Sequence, residues 1–221
     1  MIPENLGELL RDSARKHPKR IAIVFGQKKI TYKTLDDITE SIASGLISHG
    51  IKKHDRVAIF LDNCPEFVIA YYSILKANAT AVPINYMFKI EEAKHILQDS
   101  QAVCLITNRA YIEMAEELRL RLDSLKYVIT TTKSKNNVAD FQSIRKNSSP
   151  FKEKSSPLPN DLAVILYTSG TTGLPKGACL SHYNLISNAL DSSSAIKLTY
   201  RDAIICILPL FHSFAATVCM N

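Results

Sequence analysis

Over the first 130 positions, short apolar runs of β type alternate with helical stretches of about a dozen residues. The runs are "RVAIFL" (Arg56–Leu61), "TAVPI" (Thr80–Ile84), "AVCLIT" (Ala102–Thr107) and "KYVIT" (Lys126–Thr130). Between them stand "FVIAYYSIL", "KIEEAKHILQDS" and "AYIEMAEELRLRL", the last with Ile112, Ala115, Leu118 and Leu122 on one helical face. Strands separated by helices of this length form βαβ units, whose crossovers make the sheet parallel and cover both of its faces. The expected fold is therefore α/β: a doubly wound, mostly parallel sheet with helices on both faces. Ahead of these units, Asn5 is placed to cap a helix that stops at Pro18, and "RIAIVFGQKKITY" reads as a hairpin turning at Gly26-Gln27. Leu35, Ile38, Ile42 and Leu46 then mark a helix closed by Gly50. Asn63 and Pro65 are expected to open the helix after Leu61 as cap and first-turn residue.

The rhythm breaks at residues 131–160. This stretch is polar and serine-rich, holds three prolines, and carries six Lys/Arg against Asp140 and Glu153. It is expected to be a connection with at most one short turn of helix. The reading divides the chain into a βαβ part (1–130), this polar linker (131–160) and a final part (161–221). The final part should hold a strand at Leu162–Thr168, a strand at Gly177–Leu180, a helix capped by Ser181, and a last strand "AIICILPLF" ending at Pro209.

Composition excludes several classes. Apolar residues make up 46% of the chain, enough for a large core. The formal charge is +6, and residues 131–159 supply +4 of it as a solvated connector rather than a basic face, which argues against nucleic acid as a partner. Five cysteines (Cys64, Cys104, Cys179, Cys206, Cys219) with no C-x-x-C spacing suggest neither a disulfide framework nor a metal site. They read as reduced, buried core thiols of a cytoplasmic protein. The start has no apolar leader segment, and the longest apolar run falls far short of a membrane span.

The stretch "YTSGTTGLPKG" (Tyr167–Gly177) begins where the strand Leu162–Thr168 ends. In open α/β sheets, ligands gather at the carboxyl ends of strands. Gly170 and Gly173 let backbone N–H groups turn toward an anion, Ser169, Thr171 and Thr172 add hydroxyl donors, and Lys176 adds one mobile charge. Together they suit a polyphosphate. The pattern is not the usual P-loop, which needs G-x-x-x-x-G-K-[ST] followed by a helix. A flexible Gly/Thr turn is the plain alternative, but a turn does not require so many hydroxyls and a lysine.

With "SHYN" (Ser181–Asn184) and "LPLFH" (Leu208–His212), this loop closely resembles the AMP-forming acyl-CoA synthetases of the adenylate-forming superfamily. Weaker similarity runs through "ITYKTLDDITESIASGL" and "DRVAIFLDNCPEFVIAYYSILKANATAVPIN". The resemblance implies that Thr168, Ser169, Gly170, Thr171, Thr172, Gly173 and Lys176 hold the phosphates of ATP, and that His212 lines the acyl pocket beside the substrate carboxylate. His182 and Asn184 are left as structural. It implies ATP and coenzyme A as substrates, Mg2+ as cofactor, and a carboxylic acid, a medium- or long-chain fatty acid, as the group activated. Peripheral contact with a membrane is compatible with that substrate. The alternatives are a module that loads an acyl group onto a carrier-protein thiol, and a non-catalytic binding module. Family members continue well past the point reached at Asn221, so the resemblance implies the first half of a large N-terminal domain, inactive by itself, with the missing second half as its partner. The adenine, ribose and magnesium ligands would lie beyond Asn221.

Overall fold

A computed structural model describes residues 3–133, 138–146, 156–168 and 173–221. The chain order is α1 (Leu6–Lys16), β1 (Ile21–Phe25), β2 (Lys28–Thr31), α2 (Tyr32–Ser48), β3 (Arg56–Phe60), α3 (Pro65–Lys76), β4 (Thr80–Pro83), α4 (Ile90–Asp99), β5 (Cys104–Thr107), α5 (Ile112–Arg121), β6 (Tyr127–Thr130), β7 (Ala139–Asp140), α6 (Phe141–Lys146), β8 (Leu162–Thr168), β9 (Lys176–Ser181) and α7 (His182–Ala195). Strands β1 and β2 form a separate antiparallel hairpin. The other seven strands form one sheet in the order β7-β6-β5-β3-β4-β8-β9, parallel throughout except for β9, which pairs antiparallel with β8.

Alternation along the central strands sorts the core into two layers. Val57, Ile59 and Leu61 face one side with α1, α2, α3, α6 and α7, while Ala58 and Phe60 face the other with α4 and α5. This is the period of two that strand geometry imposes. All of these strand residues are buried, as expected for a parallel sheet with helices on both faces. The doubly wound expectation holds.

Three expectations need correction. The stretch 131–160 is not only a connection: it holds the short helix that the expectation allows, α6, anchored by buried Phe141 and Ile144, and residues 139–140 add an unexpected sheet-edge strand, β7. A strand of two residues is too short to show a period. The residue capping α3 is Cys64, with Pro65 in the first turn and no side-chain cap bond. The amide of Asn63 is engaged elsewhere. The segment "AIICILPLF" is not a strand: residues 203–207 are irregular, with Ile205 and Ile207 each 83% exposed. Apolar β-type composition makes a strand only where a ladder partner exists, and this segment has none among the described residues.

Two contacts tie distant helices together. Lys76, at the end of α3, lies buried with its Nζ 2.5 Å from the Asp36 carboxylate on α2, and it also donates to the Asp36 backbone carbonyl at 3.1 Å. Burial lowers the Lys76 pKa from its ordinary value, and the neighbouring carboxylate opposes that shift. Removing one partner of such a pair leaves a buried charge uncompensated, at a cost of about 3–5 kcal/mol. At the N-terminus of α1, Asn5 Oδ1 accepts from the Glu8 N–H at 2.9 Å. The Leu6 N–H, which has no acceptor within its own helix, donates to Nδ1 of buried His182 at the start of α7, 3.3 Å away. That bond requires the neutral tautomer with its proton on Nε2.

Gly45, in the last turn of α2, lets the α6 backbone come close. A Cβ there would stand 2.4 Å from the Ile144 carbonyl oxygen. Gly45→Ala would gain about 1 kcal/mol of helix propensity, but forced repacking costs about 1–3 kcal/mol. Backbone atoms cannot yield as a side chain can, so the expected net effect is a loss of about 1–2 kcal/mol, read by urea denaturation. A stabilised variant would show that α6 is not seated on α2.

Burial holds the His182 pKa down at about 4, from an ordinary 6.5. Between these values the unfolded chain binds the proton and the folded chain does not, so protonation favours unfolding. The contribution of His182 is therefore complete above pH 6.5 and is lost as pH falls toward 4, to a maximum of about 3 kcal/mol. His182→Gln keeps an acceptor without titrating. It should flatten stability between pH 6.5 and 4 in a series of urea titrations; a slope like that of the wild type would assign the titration to another group.

Candidate functional site

Strands β3, β4, β5, β6 and β8 run parallel, so their carboxyl ends share one edge of the sheet. Three segments meet there. After β3, the Asn63 side chain donates to the Leu208 carbonyl at 2.9 Å and accepts from the Leu210 N–H at 2.8 Å. This two-point bond holds the irregular segment before His212 against the sheet. After β4, Tyr86 meets Phe211 edge-on, with ring centroids 6.0 Å apart. Beside β4, strand β8 ends at the exposed Thr168. The strand order β3-β4-β8 thus brings residues 208–212 and the start of the "TSGTTGLPKG" loop to one edge.

Lys176 opens β9 directly opposite Thr168, so the residues between them close a hairpin. Ser169, Gly170, Thr171 and Thr172 lie outside the described residues. Gly173 has φ +104° with open space around its Cβ position, so its requirement is conformational rather than steric. Lys176 is exposed, and no ion pair engages it among the described residues. Its charge is available to an anion. Gly177 has a steric role: a Cβ there would come within 2.7 Å of Ile165 and 3.1 Å of the Tyr167 ring across the ladder.

His212 is exposed at the start of the short helical turn Ser213–Ala215, which runs on into a π-helical turn at Ala216–Met220, and its N–H donates to the Pro209 carbonyl at 3.0 Å. It is not a packed core histidine. Thr168 and Lys176 stand on the two arms of one hairpin with Gly173 in the connection between them, whereas His212 comes from a separate segment near the end of β4. His182 and Asn184 are structural: His182 receives the α1 N–H, and Asn184 completes a capping box with Ser181.

The thiols divide differently from the core expectation. Cys104 is buried, but Cys179 and Cys206 are exposed. Cys179 lies on β9, which has a neighbour on only one side, and Cys206 lies in the irregular segment. Burial and the neighbouring Cys219 push the Cys206 pKa up to about 11, and burial pushes Cys64 up to about 12. Neither is an activated nucleophile. Among the described residues no group of three His, Cys, Asp or Glu could hold a metal ion, and no helix is long and apolar enough to cross a membrane.

The sequence reading missed α4 as part of this site. A cleft of about 440 Å³ opens between α4 and the hairpin, lined by His95, Asp99, Leu174, Pro175, Lys176 and Gly177. His95 Nε2 lies 3.1 Å from the Pro175 carbonyl, and the Tyr167 hydroxyl donates to Asp99 at 2.5 Å. Burial, and then the Asp99 bond, raise the Tyr167 pKa above its ordinary value, which keeps the phenol protonated as donor. No local pattern could have linked residues about 70–80 positions apart.

Residues 10–221 match the family described as "AMP-binding enzyme". The chain is 35% identical over 219 residues to oxalate–CoA ligase of Arabidopsis thaliana, covering 96% of this chain and 42% of that protein. It is 32% identical to crotonobetaine/carnitine–CoA ligase of Citrobacter koseri, covering 95% and 42%. Among solved structures, a long-chain-fatty-acid–CoA ligase from Archaeoglobus fulgidus superposes with a TM-score of 0.90 at 29% identity, over 99% of this chain and 45% of that one. ATP-bound MatB from Rhodopseudomonas palustris superposes with a TM-score of 0.85 at 26% identity, over 99% and 42%. The chain thus spans less than half the length of these relatives. A family match over nearly every residue, on the same mostly parallel sheet, means that this chain belongs to the adenylate-forming AMP-binding enzymes, the family of the CoA ligases it resembles.

Proposed function

We propose that this chain supplies the phosphate-binding part of an ATP-dependent acid–CoA ligase. A substrate carboxylate oxygen attacks the α-phosphorus of ATP in line. The bond to the bridging oxygen breaks, and pyrophosphate leaves with the electron pair. The thiol sulfur of coenzyme A then forms a bond to the acyl carbon, and AMP leaves. Neither step needs a covalent enzyme nucleophile, which agrees with the unactivated thiols. The protein positions the reactants and offsets charge on the departing pyrophosphate. Thr168, Ser169, Gly170, Thr171, Thr172 and Gly173 are the proposed donors, with Lys176 as the counter-charge. The reading assigns Mg2+ no ligand in this chain, and no step depends on one here. The observation that carries the reading is the exposed Lys176, engaged by no ion pair among the described residues, on a hairpin at the carboxyl edge of the sheet, within a chain that matches the family over residues 10–221.

Lys176→Ala should slow adenylate formation more than thioester formation, because only the first step expels pyrophosphate. Loss of a charge-assisted bond is worth about 1.5–3 kcal/mol, or about ten- to a hundredfold. Thr171→Val and Thr172→Val should each cost less, since backbone donors remain. Single-turnover rates for each half-reaction, measured in an enzyme built on this chain, decide the point. An unchanged adenylation rate in Lys176→Ala would overturn the phosphate reading.

For the acid, the proposed substrate is aliphatic, a medium- or long-chain fatty acid. The support is the apolar surround of His212: Phe211, the 58%-exposed Phe214, and the neighbouring Leu208 and Leu210. The two curated relatives are named for oxalate and for crotonobetaine and carnitine, and the Archaeoglobus structure for long-chain fatty acids, so a panel of oxalate, crotonobetaine, carnitine and fatty acids of graded length is discriminating. Pyrophosphate release is expected with the fatty acids. Release with oxalate alone would remove the aliphatic reading and leave the adenylation chemistry intact. His212→Ala should raise KM for the acid or lower kcat, with little effect on the KM for ATP.

A further inference from the structure

We propose that His95 and Asp99, one helical turn apart on α4, clamp the two arms of the β8–β9 hairpin, and that His95 is a positioning residue for Lys176. The proposal rests on the phosphate reading of that hairpin. Residues four apart on a helix project from one face, so a single helix can reach both arms at once. Asp99 takes the outgoing arm by accepting from the Tyr167 hydroxyl at 2.5 Å. His95 takes the returning arm through the Pro175 carbonyl at 3.1 Å, one residue before Lys176. A carbonyl oxygen only accepts, so His95 Nε2 must carry the proton.

Three further observations support a built contact. Gly177 has no Cβ, and this absence lets the Tyr167 ring lie across β9 toward Asp99. His95 is half-buried and the cleft between it and the loop is lined by Lys176 itself. On the inner side of α4, Ala93, Ile96 and Leu97 are fixed in the core, so the helix gives the clamp a rigid base. Lys176 is otherwise held only as the first residue of an edge strand, and a mobile charge stabilises a phosphate poorly unless its backbone is placed.

The test combines a direct structural readout with a kinetic one. Hydrogen exchange in the 221-residue chain should show the 173–178 region opening about tenfold faster in His95→Ala and in Tyr167→Phe. Exchange in β3 and α3, and the thermal midpoint, should stay unchanged. His95→Gln retains an N–H donor and should restore much of the protection. In an enzyme built on this chain, His95→Ala should raise the KM for ATP about fivefold, with the KM for the acid within twofold. Wild-type exchange at 173–178 in both His95→Ala and Tyr167→Phe would overturn the clamp, as would faster exchange spread equally over the whole chain. Failure of the underlying phosphate reading has its own signature: Lys176→Ala then leaves ATP use unchanged, whatever the exchange at 173–178.

Discussion

The pairing of β8 with β4 is the contact on which the candidate site depends. Ala81 stands opposite Val164, and the Thr80 hydroxyl donates to the Leu162 carbonyl at 3.1 Å. Some 80 residues of sequence separate the partners. Closing that distance has an entropic cost that only burial can offset, and the faces of β8 supply it: Val164 and Leu166 enter one core layer and Ile165 the other. Without this pairing, the hairpin that carries Lys176 would have no fixed relation to the segment that carries His212.

The two layers of the fold do different work. The larger one, containing α1, α2, α3, α6 and α7, is tied by buried polar contacts as well as by apolar packing. The Asp36–Lys76 pair links α2 to α3, and the Leu6–His182 bond links α1 to α7. Such contacts add little net stability compared with apolar packing, yet breaking one is costly. The opposite layer is smaller and made of α4 and α5. It carries the helix that reaches the hairpin. A site at the carboxyl edge is thus supported from beneath by the sheet and from one side by α4.

The chemistry proposed for this edge is charge stabilisation. The Cys64 and Cys206 thiols have raised pKa values, and no metal-binding group of side chains stands among the described residues. What the edge does offer is a glycine-bearing turn, an exposed threonine at a strand end and a lysine that no ion pair engages among the described residues. On the proposed reading these groups bind and position a polyanion, and preorganised donors of this kind lower a barrier because they need no rearrangement as charge develops.

Local patterns were sufficient for most of the elements. Helical spacing at Leu35, Ile38, Ile42 and Leu46, the cap at Asn5, the turn at Gly26 and the apolar runs of β3 to β6 each stand within a few residues of one another, so backbone sterics and side-chain periodicity act on them directly. The glycines, hydroxyls and lysine of the hairpin loop are contiguous too, so the reading of that loop is also a local one, although Ser169, Gly170, Thr171 and Thr172 lie outside the described residues. Ladder partners, by contrast, are distant in sequence. That is why "AIICILPLF" has strand composition but no strand, and why β7 arises in a stretch that reads as a polar connection. The use of Asn63 also escaped local reading, because an Asn before Pro equally suits a helix cap. By itself, then, the sequence determined the doubly wound class and the chemical character of the loop. The tertiary structure alone decided that Asn63 would hold the His212 segment and that His95 and Asp99 would grip the hairpin, because hydrogen bonds between residues about 70–150 positions apart exist only once the sheet has brought the strands into order.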